Sequence, residues 1–341
     1  MKAIVQDKYG STDVLELRDI DKPTVEDDEV LIRVHAASVH PDVWHVVRGL
    51  PYVLRIMGGG LLKPRNSVPG TDVAGHVESV GKNVTRLQPG DVVFGESLSG
   101  HQWHNGGAFA EYVSVPQEAL APKPANLTFE QAAAVPTSGI IALSSLRNQG
   151  HVQPGQKVLI NGAGGGVGTF AVQLAKAFGA EMTGVDSTRK LDMVRSIGAD
   201  HVIDHTQEDF TRGGERYDLI LDVPGNHSFT DCRRVLMPKG TYVIIGHDHF
   251  GEFGHRFLGS LPRVMKLVVI SPFVSQLPDL NFSMPNKKDS MAVLRELSEA
   301  GKITPVIDRT YPLSEVPEAI RYLEEGHADG KIVITVRGAT D

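Results

Sequence analysis

Residues 161–170 read Asn-Gly-Ala-Gly-Gly-Gly-Val-Gly-Thr-Phe, with glycine at 162, 164, 165, 166 and 168. A turn needs one or two glycines, and each further one costs backbone entropy on folding. The flanks supply the reason for so many. Lys157-Val158-Leu159-Ile160 before them is a short, branched, apolar run of strand character. After them, apolar residues at 170, 171, 174, 175 and 178 follow helical spacing, and Gly179 stands where a helix stop belongs. The glycines therefore join a strand to a helix. Missing side chains there let a pyrophosphate approach the backbone, and the helix start offers free N–H groups to an anion. The spacing is a close variant of G-x-G-x-x-G, and such a motif alone is weak, since a tight turn without a ligand uses the same residues. The next segment strengthens it. Residues 181–186 read as a second strand ending in Asp186, 20 residues after Gly166, the distance of a group that meets the adenosine ribose.

The surrounding chain falls into three parts. Residues 30–39, 71–80, 91–95 and 107–115 are short apolar pieces between turn signals such as Pro69-Gly70 and Pro89-Gly90-Asp91, which predicts a β-rich domain. Thr128 with Gln131 forms a capping-box pattern for a helix interrupted near Pro136. From Lys157 strands are predicted at 157–161, 181–186, 201–203, 217–222, 241–246 and 266–271. Helices are predicted at 166–178, 188–197 and 227–236. Such alternation implies a doubly wound parallel sheet. The tail then adds a helix over 288–300, a strand at 303–307, a helix capped by Ser314, and a closing strand at 332–336. It is expected to pack back on the first domain.

Composition narrows the function. The formal net charge of −7, with no basic run, argues against a nucleic-acid partner. No apolar stretch has membrane-spanning length, and the start MKAIVQDKYG lacks signal-peptide character. The single cysteine, Cys232, excludes an internal disulfide and any zinc site with two thiolates, and a cytoplasmic location is the default. Cys232 falls in a predicted helix, where a packed thiol is the simplest role.

Over nearly its whole length the chain resembles the medium-chain dehydrogenase/reductase superfamily, in its zinc-independent, quinone-oxidoreductase-like branch. The matching stretches are Val68–Gly75, Gly107–Tyr112, Val135–Gly139, Gly162–Gly168, Gly301–Asp308 and Gly330–Val333. The resemblance implies an α/β chain: a GroES-like, β-rich catalytic domain starting at 1–123, a Rossmann domain at 124–272, and a return segment at 273–341. It implies an active site in the cleft between the domains and a homodimer joined partly near 266–271. Zinc-dependent relatives have ligands where this chain has His40, Thr71 and Ala134. Only His40 is a potential ligand, so no metal is expected. The histidines of His101-Gln102-Trp103-His104 and His247-Asp248-His249 read as polar surface.

Without metal, the expected small-molecule substrate is already electrophilic: a quinone, an enone or another activated alkene. His40 replaces the family's usual asparagine within His40-Pro41-Asp42-Val43-Trp44, and either donates to a carbonyl, relays a proton, or simply packs. Trp44 and Tyr52 either line the substrate pocket or belong to the core. Thr71 and Asp72 support the cleft, with a structural hydrogen bond as the expected role of Asp72. For the cofactor, Gly165, Gly166 and Val167 are expected at the pyrophosphate and Thr137 near the nicotinamide. Gly246 and His247 are expected beside its ribose or amide. Asp222 and Val223 close the fourth strand at the sheet's carboxyl edge, and Phe273 and Val274 match a segment that meets the carboxamide. Coenzyme choice is contested. Asp186 favours NADH, whereas Ser187, Arg189, Lys190 and His205 favour NADPH, and the balance leans to NADPH with NADH as an alternative. The competing functions are an alcohol dehydrogenase or carbonyl reductase of the same superfamily, and a nucleotide-binding protein without turnover.

Overall fold

The computed structural model describes residues 1–98, 104–246, 256–278 and 286–336. The chain opens with a ribbon of β1 (Lys2–Gln6) and β2 (Leu15–Asp19). β3 (Glu29–Val39) leads through α1 (Pro41–Arg48) to β4 (Asp72–Val80), β5 (Val92–Glu96), β6 (Tyr112–Pro116) and β7 (Leu120–Pro122). Two helices follow, α2 (Phe129–Ala134) and α3 (Pro136–Leu143). Alternation then sets in with β8 (Lys157–Asn161), α4 (Gly166–Ala177), β9 (Glu181–Asp186), α5 (Leu191–Ser196) and β10 (His201–Asp204). It continues through β11 (Tyr217–Asp222), α6 (Phe229–Arg234), β12 (Leu236–Ile244) and α7 (Leu261–Ile270). The tail comprises α8 (Lys287–Glu299), β13 (Ile307–Pro312), α9 (Val316–Glu324) and β14 (Lys331–Thr335).

Contacts group these elements into two compact units, residues 1–140 with 286–341, and residues 141–285. The first is built on a seven-stranded sheet in the order β13-β14-β3-β4-β5-β7, with β6 also paired to β3. β3 is its spine. Residues 29–33 pair antiparallel with β6 and residues 36–39 with β14, while β4 runs along the other edge. A strand enclosed in this way is buried along most of its length, which its near-continuous apolar sequence permits. The tail thus enters the sheet of the N-terminal segment through β14. α2 packs on β3, β4 and β14, and its start has both hydrogen bonds of the capping box between Thr128 and Gln131.

The second unit holds a parallel sheet in the order β10-β9-β8-β11-β12, the first five strands of a doubly wound arrangement. Among the described residues it has five strands. The sixth, predicted at 266–271, is a helix: Leu267-Val268-Val269-Ile270 belongs to α7. Its branched residues suit a strand, but Pro262 starts a helix well. Leu267, Ile270 and Val274, three or four residues apart, then pack on one core cluster while Val269 stays exposed. Three predicted features of the tail and middle also shift. The strand expected at 303–307 begins at Ile307, because Pro305 has no N–H to give a ladder. Ser314 lies in a single 3-10 turn and caps nothing, and α9 starts at Val316 with Pro317 in its first turn. The strand expected over 107–115 begins at Tyr112, after Gly107 at φ 88°.

Candidate functional site

In the nucleotide-type unit, β8 delivers the chain to Gly162, whose φ of 80° turns it sharply. The N–H groups of Gly162 and Ala163 both donate to the Val185 carbonyl on β9, at 2.9 and 3.1 Å. Gly168, in the first turn of α4, sits so close to this turn that a Cβ there would lie 2.0 Å from the Gly162 carbonyl oxygen. The helix start therefore nests directly against the strand end. Gly165 is the N-cap and has no side chain to satisfy the first N–H groups of α4. Those amides, with Gly166 and Val167 as the first helical residues, form a cradle open to an anion. This donor set fits a pyrophosphate.

Asp186 closes β9 at the same edge and is 8% exposed. Its Oδ2 accepts from the Gly164 N–H at 2.7 Å and its Oδ1 from the Ser187 N–H at 2.9 Å. The acid thus braces the glycine turn. Bracing leaves lone pairs free, since a carboxylate offers about four acceptor sites. Lys190 is 7% exposed and belongs to no solvated face, unlike the exposed Arg189. A Cβ on Gly164 would lie 2.8 Å from Lys190 Cδ and 3.1 Å from Asp186 Oδ2, so the lysine stem and the acid converge beside that glycine. His205 is exposed, and its N–H donates to the Asp186 carbonyl at 3.1 Å.

Asp222, fully buried at the end of β11, accepts from Asn161 Nδ2 at 2.8 Å, the Gly225 N–H at 3.0 Å and the Tyr242 hydroxyl at 2.8 Å. Burial pushes the Tyr242 phenol well up, so it stays a donor. The Val223 N–H donates to the Asn161 carbonyl, and the Gly246 N–H to the Val223 carbonyl. Asp222, Val223 and Gly246 thereby share one braced edge with Asn161, and the acid acts inside it as an organiser. Asn161 and Tyr242 carry no cue in sequence. They become partners only because β8, β11 and β12 are adjacent. Phe273 is 87% exposed in a single turn after α7, and Val274 packs half-buried on the core cluster. His247, like His101 and His249, lies outside the described residues.

In the other unit, His40 follows β3 and caps α1. Its Nδ1 accepts from the Asp42 N–H at 3.3 Å and lies 3.4 Å from Asp42 Oδ2. The ring is 4% exposed, and among the described residues its buried Nε2 has no hydrogen-bond partner. Trp44 is 3% exposed and meets the His45 ring edge-on, with centroids 4.9 Å apart, so it is a core residue here. Tyr52 is half-buried, with the Arg55 guanidinium over its ring at 4.7 Å. A small indentation is lined by Asp42, Val43, Val46, Gly70, Thr71, His104 and Asn105.

Beneath Thr71, Asp72 is fully buried and bridges four groups. Its Oδ1 accepts from Thr137 N at 3.0 Å and Thr137 Oγ1 at 2.5 Å, and its Oδ2 from Ser38 Oγ at 2.7 Å. Lys331 Nζ, 2% exposed, lies 3.4 Å from the same Oδ2. Burial lowers the Lys331 ammonium from its usual range, and the Asp72 charge opposes that. The expected structural role of Asp72 is what the geometry shows, and Thr137 is committed to it through both donors. Glu96, opposite Asp72 on β5, is also fully buried. Lys287 Nζ lies 3.0 Å from Glu96 Oε2, yet burial pushes the acid up to about 7. Lys331 and Glu96 had a weak signal in sequence, a charge embedded in an otherwise apolar strand. Among the described residues no group of three or more His, Cys, Asp or Glu side chains is placed to hold a metal ion.

Family models place these features. Residues 26–125 match the alcohol dehydrogenase GroES-like domain, and residues 197–334 match a model described as zinc-binding dehydrogenase. The chain is 33% identical to a 2-methylene-furan-3-one reductase of Solanum lycopersicum, covering 98% of this chain and 79% of that protein. It is 34% identical to an NADPH-dependent alkenal/one oxidoreductase, chloroplastic, of Arabidopsis thaliana, over the same shares. Among solved structures, the quinone oxidoreductase from Coxiella burnetii superposes with a TM-score of 0.82 at 30% identity, covering 99% of each chain. With a GroES-like β unit, a parallel dinucleotide-type sheet and relatives of this identity along its length, the chain belongs to the medium-chain dehydrogenase/reductase superfamily, as an oxidoreductase of the quinone-oxidoreductase-like branch.

Proposed function

We propose that this protein transfers hydride from a reduced nicotinamide dinucleotide to a quinone, an enone or another activated alkene, without a metal ion. The observation that carries the reading is the open N-terminus of α4, where an uncapped glycine start faces the braced turn made by Asp186 and Gly164. The bound coenzyme supplies the hydride. The residues of this chain bind and orient. The first amides of α4 hold the pyrophosphate, and the braced edge of Asp222, Val223 and Gly246 orients the nicotinamide end. Thr137 is held by Asp72, so its contribution near the nicotinamide is positional. His40 is the polar group for the acceptor, with Tyr52 as an apolar wall. An electrophilic substrate needs such donors in place of a Lewis acid.

NADPH is the proposed coenzyme, with the buried Lys190 and the exposed Arg189 as its 2′-phosphate partners. One observation favours NADH as a second reading: the Asp186 carboxylate is fixed beside Gly164 and cannot swing away from a 2′-phosphate. Fluorescence titration of the purified protein with each nucleotide separates them. NADPH is expected to bind more tightly. Tighter NADH binding would assign selection to Asp186, and failure of both would remove the enzyme reading. We further propose a cytoplasmic homodimer. A lone buried thiol fits a reducing compartment, and the exposed Met265, Val269 and Phe273 suit a subunit contact. Among the described residues no helix is long and apolar enough to cross a membrane.

A further inference from the structure

The entry to α1 has an unusual cap. N-cap side chains are mostly Ser, Thr, Asp or Asn, whose oxygens accept from the second or third helical amide. Here a histidine does it. Pro41 has no N–H, so the first available amide is that of Asp42, and it donates to His40 Nδ1 at 3.3 Å. A ring nitrogen that accepts a backbone N–H carries no proton. In the neutral ring the proton then sits on Nε2. Among the described residues that atom is buried without a partner. A buried donor lacking an acceptor is costly, and such groups mark places where something else completes the bond. The competing influence is the Asp42 carboxylate, 3.4 Å from the same Nδ1, which would favour a proton there.

We infer that His40 holds its neutral ring in the Nε2–H tautomer and presents that N–H to the carbonyl oxygen of the acceptor, with the Asp42 backbone amide fixing the tautomer. This rests on the reading of the protein as a reductase of enones and quinones. As hydride adds to the β-carbon of an enone, the π pair moves onto the carbonyl oxygen, where Nε2–H stabilises the developing charge. The ring keeps its proton. The α-carbon takes its proton from water, and the nicotinamide is left oxidised. Nε2 is buried, so a carbonyl oxygen that reaches it meets a donor that solvent does not screen. Asp42 is a positioning residue, since it acts through the ring.

The ring state is read directly by two-dimensional proton–nitrogen NMR of the protein labelled with 15N-histidine, without any substrate. The expected spectrum of His40 shows protonated Nε2 and bare Nδ1, and a protonated Nδ1 in the neutral ring overturns the inference. Turnover supplies the second arm. His40→Ser keeps an acceptor for the Asp42 amide and removes the donor, whereas His40→Asn keeps both. His40→Ser is expected to lower kcat on an enone about 100-fold, the usual loss for one such donor, with nucleotide affinity unchanged. His40→Asn is expected to recover most of it. A His40→Ser enzyme within threefold of wild type overturns the inference. A wild-type protein that reduces no enone or quinone overturns the underlying functional reading instead, which the substrate-free spectrum distinguishes.

Discussion

Substituting Lys331→Met removes the cation from a fully buried carboxylate while keeping most of the side-chain volume. In wild type the Lys331 ammonium lies 3.4 Å from Asp72 Oδ2, and both side chains are almost completely enclosed. Without it, Asp72 keeps Ser38 and both donors of Thr137 but loses its countercharge. Breaking a buried pair by deleting one partner costs about 3–5 kcal/mol, because the other charge stays buried. At about 2–4 °C per kcal/mol for a unit of this size, the melting temperature falls by roughly 6–20 °C. Urea unfolding followed by the emission of the buried Trp44 reports the same unit. Lys331→Met combined with Asp72→Asn loses less than the two single changes summed, since the double variant has no stranded charge. A Lys331→Met protein within about 1 kcal/mol of wild type would mean instead that Asp72 is held by its neutral donors alone.

Three further outcomes follow from the geometry. Glu96 titrates near 7 when folded because burial disfavours its charge, so the folded state keeps a proton that the unfolded chain has lost. Wild type should therefore lose stability as pH rises from about 4.5 through 7, by about 3 kcal/mol in all, and Glu96→Gln should flatten that slope; an unchanged slope in the variant would assign it to other groups. Gly168→Ala forces a methyl onto the Gly162 carbonyl oxygen, so nucleotide binding should be abolished in titration and the melting temperature lowered; an alanine variant with normal affinity would mean the turn yields without cost. Burial pushes the Cys232 thiol far up, so the native protein should resist alkylation by iodoacetamide until denaturant is added, and rapid labelling of the folded chain would contradict the packing of α6.

The strand–glycine–helix unit was legible from sequence because its evidence is local. Two periodicities meet at a run of glycines, and β8, α4 and β9 end within a residue or so of the predicted bounds. The capping box at Thr128 was legible for the same reason. The run at 267–270 misled because branched apolar residues suit a strand and a half-buried helix equally, and only packing on the core cluster decides. Site residues divide likewise. Asp186 is marked by its distance along the chain, but its bracing of Gly164 is a contact between β9 and the turn. Lys331 sits 259 residues from Asp72 and meets it only through the pairing of β14 with β3 and of β3 with β4. Such partners are set by sheet order, which no local pattern encodes.

Hydride transfer to an activated alkene or quinone without metal is the step to measure. The most direct test follows NADPH absorbance with the chelator-treated, metal-analysed protein and a panel of enones and quinones. NADPH loss matched by reduced product is expected, in protein that contains no stoichiometric zinc. Bound nucleotide that no acceptor consumes, or activity that vanishes on chelation and returns with zinc, would contradict it.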